Sequence, residues 1–369
     1  MIPLVEIYYE GKNVIAPLTC VERLHYSETI YGGAAFEAVI GNWLSFKPWE
    51  RILTSDSKEG QIRFGVEDDG GGRIWSDMKE VVFSSAAFSI FQGGATVVLS
   101  GTDRAFYLLG VCKERCYSNT KVSDVVTKIA NDYELDSDVA TTKGEFDLYS
   151  CDLTDWEFIS EELLPIAVGE DDRGDFHFYT RNGDTIVFRP PEKEPQYYLT
   201  WNPFSEDTSA SPVNMHVKYR LAWMDEERSL SVKVRDLSPL SKELEEFKVD
   251  DSNSKRETYA PGRPWPPDDP NTIVVGGFRT KEFRREEVEA SARAIWGENC
   301  LRLWRARFAV TPAPDARIGV IARLTIKDSD GSDSFLTGDW LVYGVEQDVT
   351  PGGLTTTLLL ERRGHHTGG

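Results

Sequence analysis

The sequence predicts a mainly β protein in which a short α/β segment is inserted between two β-rich regions, an α+β arrangement. Three observations support this prediction. Apolar and polar residues alternate in extended segments such as VEIYYEGK and AFEAVIG, which is typical of strands with one buried face. Helical periodicity is confined to a few segments. The closing stretch WLVYGVEQDVTPGGLTTTLLLERR contains two extended runs around a Pro-Gly-Gly turn.

The length and composition indicate a folded globular protein with more than one domain. A chain of 369 residues exceeds the size at which single cores stop growing. Hydrophobic residues make up 40% and aromatic residues 11% of the chain, more than a disordered chain carries. No apolar run approaches the roughly 20 residues that span a bilayer, and MIPLVEIYYEGK lacks the features of a signal peptide. We therefore expect a soluble protein without Sec export or membrane insertion.

Charge and cysteine usage exclude further classes. A formal net charge of -20 argues against specific nucleic-acid binding, because that mode needs clustered Lys and Arg. The odd number of cysteines predicts reduced, mostly buried thiols in a protein that folds in a cytosol: Cys20, Cys112, Cys116, Cys151 and Cys300. The CxxxC pair Cys112 and Cys116 has no second pair or nearby His to complete a zinc set, so no metal site is predicted.

Residues 1–115 are predicted to be all-β. Extended segments are separated by Gly and Asp clusters such as DDGGGR. The segments are PLVEIYY, AAFEAVIGNWL, QIRFGVED, KEVVFSS and ATVVLSGTDRAFYLLGVCKE.

Residues 116–206 are predicted to form a small α/β domain that begins with two helices. TKVSDVVTKIANDYEL has a helical apolar stripe, with Ser123 as its N-cap. In LTDWEFISEELLPIAVG, Thr154 and Glu157 fit a capping box, and Pro165 should kink or end the helix.

A hairpin follows the two helices. In FHFYTRNGDTIVFRPP, Asn182 and Gly183 supply the positive backbone dihedrals of a type I′ turn.

The second β region is predicted over residues 207–238 and 272–363. VNMHVKYRLAWMDEERSLSVKVRDL predicts a hairpin, and TKEFRREEVEASARAIWGEN predicts a helix between Thr280 and Gly297. CLRLWRARFAV, ARIGVIARLTIKDSDG and the closing hairpin predict the remaining strands. Residues 239–271 are a Pro-rich charged insertion, interpreted as an ordered excursion or a flexible loop. Residues 364–369 should form a frayed tail.

The chain carries no recognisable catalytic motif. It lacks G-x-S-x-G, a Walker P-loop, H-E-x-x-H and a G-x-G-x-x-G after a strand. His25, His177 and His216 fit structural or surface roles, while His365 and His366 lie in the tail. We predict no catalytic, cofactor-binding or metal-binding residues.

Acidic residues are abundant, and two sites illustrate how we interpret them. Glu161 and Glu162 occupy adjacent positions of a helix and face different directions, which favours a solvated face over an acid/base pair. DSDGSD at residues 328–333 lacks the ligand spacing of a calcium loop and predicts a hairpin turn. Composition alone leaves a glycosidase possible, since it needs just two carboxylates.

One segment carries a family resemblance. DLYSCDLTDWEFISEELLPIAVGEDDRGDFHFYTRNGDTIVFRPP resembles the central segment of the phage tail baseplate hub family, the late-control protein D group. The preceding VSDVVTKIANDYEL resembles that family's short helix. The last hundred residues resemble its C-terminal pattern, with EEVEASARAIW before strands and the DWLVYGVE run. The resemblance covers most of the chain apart from residues 239–271.

The resemblance implies a structural hub of a contractile tail rather than an enzyme. Such a hub has two tail-tube-like β-barrel domains and a small α/β domain per chain, so a homotrimer presents six tube-like units. That ring would adapt the sixfold tail tube to the threefold central spike and leave a channel for DNA. The implied partners are the spike protein, the tail tube or tube-initiator protein, the baseplate wedge proteins and the tape measure protein. The implied location is the virion baseplate, after folding in the host cytoplasm.

Alternatives remain at this stage. The hub of a tailocin or of a type VI-like injection device would share the fold. A tail-associated cell-wall hydrolase would need converging acids in a cleft. A carbohydrate- or receptor-binding β-sandwich would use exposed tryptophans, for which Trp201, Trp223 and Trp265 are the candidates. The acidic charge either lines a channel and repels DNA or keeps a large assembly in solution.

Overall fold

The computed structural model describes most of the chain, and its fold is mainly β, with one large mixed sheet and a few short helices. The described residues are 1–15, 20–30, 32–41, 58–91, 94–171, 174–201, 214–220, 231–237, 244–249, 272–276, 302–328, 330–334 and 336–364. The predicted mainly β class with a few helices is confirmed. The helix predicted between Thr280 and Gly297 lies outside the described residues.

The first part of the chain forms strands and one short helix. The strands are β1 (Ile2–Tyr9), β2 (Lys12–Asn13), β3 (Cys20–Thr29), β4 (Gly32–Gly41), β5 (Glu59–Glu67), β6 (Arg73–Trp75), β7 (Lys79–Phe91) and β8 (Gly94–Thr102). The alternating burial of β4 confirms the predicted single buried face, because Phe36 and Ile40 are buried while Glu37 between them is exposed. A helix at Phe106–Leu109 corrects the expected continuation of the strand through AFYLLG.

The middle of the chain is the predicted α/β segment. Its strands are β9 (Arg115–Thr120), β10 (Asp136–Val139), β11 (Phe146–Ser150), β12 (His177–Arg181) and β13 (Thr185–Arg189). Its helical segments are Val122–Asp132, Asp155–Glu157, the π-helical Phe158–Leu163 and the 3-10 turn Leu164–Ile166. These elements enclose a core of their own that includes Val126, Ile129, Phe158 and Phe188.

Local predictions in this segment can be checked one by one. The capping box is confirmed, since Thr154 and Glu157 each bond the other's backbone N–H. Pro165 lies in the final 3-10 turn, so the helix ends where predicted. Ser123 is not the N-cap: Lys121 holds that position, and Ser123 lies inside the helix.

The predicted hairpin turn is confirmed in its backbone dihedrals. Asn182 and Gly183 have φ values of 55° and 82°. Because Arg181 pairs with Thr185, three residues lie in the loop rather than the two of a minimal type I′ hairpin.

The last part of the chain supplies the remaining strands. They are β14 (Tyr197–Trp201), β15 (Asn214–Arg220), β16 (Ser231–Leu237), β17 (Leu244–Val249), β18 (Thr272–Gly276), β19 (Arg302–Val310), β20 (Ile321–Ile326), β21 (Gly338–Thr350) and β22 (Gly353–Gly364). The closing hairpin is confirmed, with Thr350 paired to Gly353. The hairpin predicted at 213–237 is wrong, because β15 pairs with β19 whereas β16 pairs with β17 and β18.

Among the described residues, the large sheet contains 14 strands in the order β15-β19-β22-β21-β3-β4-β8-β7-β5-β1-β2, with β6 on β5 and β20 and β14 branching from β21. Strand β21 changes partner at a bulge around Tyr343. On one side of the bulge Leu341 pairs with Ile321 of β20. On the other side Gly344 pairs with Thr29 of β3. The backbone N–H of Ile30 donates to the Tyr343 carbonyl at the point where the partner of β21 changes from β20 to β3.

The closing hairpin therefore serves two hydrophobic cores. Val349 and Leu354, near its turn, pack into a core built by β1, β3, β4, β5, β7 and β8. Val342 and Leu360, near its open end, pack into a second core with β19 and β20. One long hairpin thus joins the first and last thirds of the chain.

Candidate assembly site

The described residues offer little that resembles a catalytic centre. Within them, no group of three or more His, Cys, Asp or Glu side chains is placed to hold a metal ion. Glu161 and Glu162 are both exposed, as a solvated face requires. The described residues of this segment, Asp328 and 330–333, fit the predicted turn, in which the N–H of Gly331 donates to the carbonyl of Asp328. His25 Nδ1 lies 3.0 Å from Asp348 Oδ1 across β3 and β21, a structural contact between strands.

Two further predictions, on the cysteines and on the tryptophans, can be compared with the structure. The prediction of mostly buried thiols is wrong for Cys112, Cys116 and Cys151, which are free and exposed. Trp201 is partly buried against the second core and is not an exposed sugar platform. Trp223 and Trp265 lie outside the described residues. None of the described helices is long and apolar enough to cross a membrane.

Strand β7 is the most informative element, because its two halves have different surroundings. The proximal half, residues 79–83, pairs with β5 from Glu59 to Ile62. The turn of the β12–β13 hairpin also docks onto it, with the Glu80 N–H donating to the Asn182 carbonyl at 2.7 Å. A Cβ built at Gly183 would lie 1.9 Å from the carbonyl oxygen of Glu80. Glycine is therefore required both by this close approach and by the positive φ.

Buried charges reinforce this docking. Lys79 is buried, and its Nζ lies 3.5 Å from Glu28 Oε2 and 3.1 Å from the Oδ1 of Asn182. The Tyr26 hydroxyl donates to the same Glu28 carboxylate at 2.9 Å. Burial and the adjacent Glu28 carboxylate raise the pKa of Tyr26 well above its usual range, so Tyr26 stays a neutral donor. Each buried charge in this group has a partner, as burial demands.

A second polar group ties the same hairpin to β4. Asp103 is buried, and it accepts hydrogen bonds from the Ala34 N–H at 2.7 Å and from the Thr180 hydroxyl. Burial raises the pKa of Asp103, and the hydrogen bonds from Thr180 and Ala34 counteract that effect. The Arg104 N–H donates to the Gly183 carbonyl at 2.9 Å. The α/β segment is thus held on the sheet by several directional contacts.

The distal half of β7, residues 84–91, follows the end of the described pairing with β5. It pairs along one edge with β8, whereas the described pairing with β5 along the other edge ends at Val82. Phe88 and Ile90 lie opposite Val97 and Ala95 of β8, which are buried on the core face of the sheet. Ile90 is nonetheless 71% exposed and Phe88 37% exposed. Ile90 is therefore exposed on the same face of the sheet as the buried residues of β8.

Strand β14 lies at another margin of the described part of the large sheet. It pairs in parallel with β20 along one edge, and the described residues supply no partner along the other. Tyr198 is 71% exposed, while Leu199 and Trp201 are partly buried against the second core. The sequence analysis did not single out Phe88, Ile90 or Tyr198. The signal that was present is an uncharged alternating run, SSAAFSIF at residues 84–91.

Comparisons with solved structures show which proteins share the fold of this chain. A tail protein from Neisseria meningitidis MC58 matches with a TM-score of 0.65 at 14% identity, over 98% of this chain and 97% of that one. The 43 kDa tail protein of prophage MuSo2 from Shewanella oneidensis matches with a TM-score of 0.60 at 12% identity, over 96% and 97%. This chain has the fold of phage tail proteins. The family resemblance seen in the sequence is confirmed at the level of fold.

A third structure extends the comparison beyond phages. An E. coli component of the type VI secretion system, described as structurally similar to the T4 tail proteins gp27 and gp5, matches with a TM-score of 0.53 at 10% identity. The match covers 97% of this chain and 76% of that one. No protein-family model and no curated protein sequence matches the chain. The similarity to these proteins therefore lies in the fold and not in the sequence identity.

Proposed function

We propose that the protein is a structural baseplate hub of a contractile tail, in which three copies form a ring between the sixfold tube and the threefold spike. The observation that carries this proposal is the closing hairpin shared between two cores. It gives each chain two sheet-built units, and three chains then provide six. The tail-protein fold supports the same reading.

The proposed domains follow the two cores and the α/β segment. Residues 1–115 form one tube-like β-barrel, residues 116–206 the α/β domain, and residues 207–238 with 272–363 the second barrel. The core that joins β1 and β5 to Val349 and Leu354 favours a curled first sheet, as a barrel needs. Residues 239–271 are a Pro-rich charged insertion, and residues 364–369 a tail.

The proposed partners are two further copies of the chain, the spike, the tail tube or its initiator, the wedge proteins and the tape measure protein. The proposed place of action is the virion baseplate, after folding in the host cytoplasm. The E. coli secretion-system structure makes an injection device a second candidate setting for the same ring. We propose no cofactor and no specific nucleic-acid binding, and we propose that part of the -20 charge repels DNA from the channel wall.

Electron microscopy of the purified full-length chain tests the ring directly. The proposal predicts class averages with threefold symmetry, six similar units around the circumference and a central channel. Solitary particles without a ring, alone or with the spike, would refute it. Zymography on peptidoglycan tests the absence of enzymatic activity, and a clear lytic band from this chain would overturn the structural assignment.

A further inference from the structure

The two-stranded sheet of β9 and β11 has one exposed face. Tyr149 of β11 pairs with Cys116 of β9, and Ser150 pairs with Arg115. Successive side chains of a strand point to opposite faces, so Tyr149 and Cys116 share a face, and Cys151 falls on the same one. All three are exposed, whereas Ser150 is buried on the opposite face. The outer face of this sheet therefore presents two thiols and a phenol to solvent.

Apolar side chains lie close to this face, in the loop that precedes β9. The Lys113 N–H donates to the Leu153 carbonyl at 3.2 Å, which places the end of this loop beside the residues that follow β11. Two side chains of the loop and the short helix before it are apolar and open to solvent. Val111 is 60% exposed and Leu109 is 47% exposed, and Tyr149 on the sheet is 43% exposed.

The surroundings of these side chains are acidic. Residues 144–171 include nine Asp or Glu and no Lys, Arg or His. The hydrogen bond to Cys151 and the nearby carboxylates of Glu114 and Asp152 raise the pKa of Tyr149. Glu114 and Asp152 are both exposed. Two carboxylates thus stand beside the exposed phenol.

The cations of this region are matched to a buried acid instead. Arg115 Nη2 donates to Asp155 Oδ2 at 2.8 Å, and Lys113 Nζ lies 3.7 Å from the same oxygen. Asp155 itself is 1% exposed. Lys113 and Arg115 flank Glu114 in the sequence, and the alternation of an extended chain turns them to the other face. The negative charge beside Tyr149 is therefore not offset by these two cations.

The exposed thiols are a second reason to expect that this surface is covered when the protein works. Free cysteine is among the most buried residue types, yet Cys112, Cys116 and Cys151 are all exposed. Apolar side chains in water cost free energy that contact with another molecule removes. Thiols, a phenol and aliphatic side chains together have the composition of a contact surface.

We name the exposed residues of this surface the Tyr149 face: Leu109, Val111, Cys116, Tyr149 and Cys151. We propose that the Tyr149 face binds a segment of a different tail protein, in which Lys or Arg residues flank apolar side chains. The proposal rests on the proposed hub function and assigns a surface to one of its protein contacts. Apolar side chains of the segment would cover Tyr149 and Val111, and its cations would lie beside Glu114 and Asp152.

Charge complementarity favours a basic polypeptide over other occupants. Nucleic acids and anionic lipid headgroups carry the same sign of charge as the surroundings of the Tyr149 face and are repelled. A second copy of the chain has a net charge of -20 and the same acidic segment. Opposite charges around an apolar centre speed association and fix the orientation of a partner.

Alkylation of the thiols in intact tails tests whether the Tyr149 face is covered. N-ethylmaleimide is applied to the purified full-length chain and to isolated tails, and the modified peptides are measured by mass spectrometry. Cys116 and Cys151 should react readily in the purified chain and about tenfold or more slowly in tails, because alkylation needs an accessible thiolate. Equal rates in both would overturn the proposal. Protection in the purified chain, at concentrations where its copies associate, would also overturn it, since a second copy would then be the occupant.

A charge reversal tests the basic character of the partner. Glu114→Lys should lower incorporation into tails by about tenfold or more in competition with the unmodified chain, because it repels a basic segment. Glu22→Lys is the matched control: Glu22 is also exposed, lies on β3 and undergoes the same change of charge. The control should be incorporated normally, and equal incorporation of both variants would overturn the proposal. Circular dichroism spectra of the two variants should coincide, since both side chains are exposed.

The failures of the two proposals can be told apart. Tails that lack this chain refute the hub function, and the assignment of the Tyr149 face with it. Tails that contain the chain, but in which Cys116 and Cys151 react as fast as in the purified chain, refute the Tyr149 face and leave the hub function standing.

Discussion

The proximal and distal halves of β7 belong to one strand, yet the chain treats them in opposite ways. The proximal half pairs with β5, joins β8 from Val82 onward, and is contacted by the β12–β13 turn and by the hydrogen bond of the buried Lys79 to that turn. The distal half lies beyond the end of the described pairing with β5, and it exposes Ile90 on the core face of the sheet. Exposed apolar surface on this strand is therefore local, because Val81, Val82 and Phe83 of the same strand are buried.

The largest effect is expected at the turn that docks on the proximal half. In Gly183→Ala the new Cβ meets the Glu80 carbonyl and the residue is held at φ 82°. We expect about 3 kcal/mol of destabilisation, from strain and overpacking together. Gly331→Ala is the matched control, with the same φ of 82° and nothing within 4 Å of the new Cβ. It should cost about 1 kcal/mol in urea denaturation, and equal losses would contradict the docking.

The buried charge beneath that turn comes next. Lys79→Met removes the cation that faces Glu28 and leaves a buried carboxylate without its partner charge. We expect a loss of about 3 kcal/mol in the free energy of unfolding. Lys128→Met is the control, because Lys128 is exposed and, like Lys79, lies over a tyrosine ring. That variant should change stability by less than about 1 kcal/mol.

The pH dependence of Asp103 gives a smaller effect. Burial raises the pKa of Asp103 in the folded chain, so the folded state binds this proton more readily than the unfolded state does. Its contribution to stability is therefore present at pH values below the ordinary carboxyl pKa and is lost as pH rises through the raised pKa. The unmodified chain should gain stability relative to Asp103→Asn between pH 7 and pH 4. A difference that stays constant over this range, or falls, would contradict the assignment.

The smallest effect on stability is expected in the distal half of β7. Ala87→Lys changes an exposed position and should alter the free energy of unfolding by less than about 0.5 kcal/mol, measured at dilutions that give single copies. A loss of stability in the dilute chain would show that contacts within the chain hold the side chain of Ala87. It would contradict the difference between the two halves of β7.

Local features of the fold could be predicted from sequence because their causes lie within a few residues. The capping box of Thr154 and Glu157 and the turn at Asn182 and Gly183 are of this kind. Ser123 failed as a cap because Thr142, 19 residues further along, accepts its N–H instead. A distant hydroxyl thus replaced the local one.

Strand pairing and the assembly site depend on distant parts of the chain. The hairpin expected at residues 213–237 was wrong because β15 pairs with β19, which comes much later in the sequence. The alternation in SSAAFSIF predicted a strand with one apolar face. The run lies beyond the point at which the pairing of β7 with β5 ends, at Glu59. No residue of the run itself determines where that pairing ends. The amino-acid composition of residues 84–91 was therefore visible in the sequence, whereas their exposure was not.

The number of copies in the assembled particle tests the central claim most directly. Native mass spectrometry of the full chain at micromolar concentration should give three copies of the 41.6 kDa chain in one complex. The proposed ring predicts that result. A single copy at every concentration, with or without the spike, would contradict it.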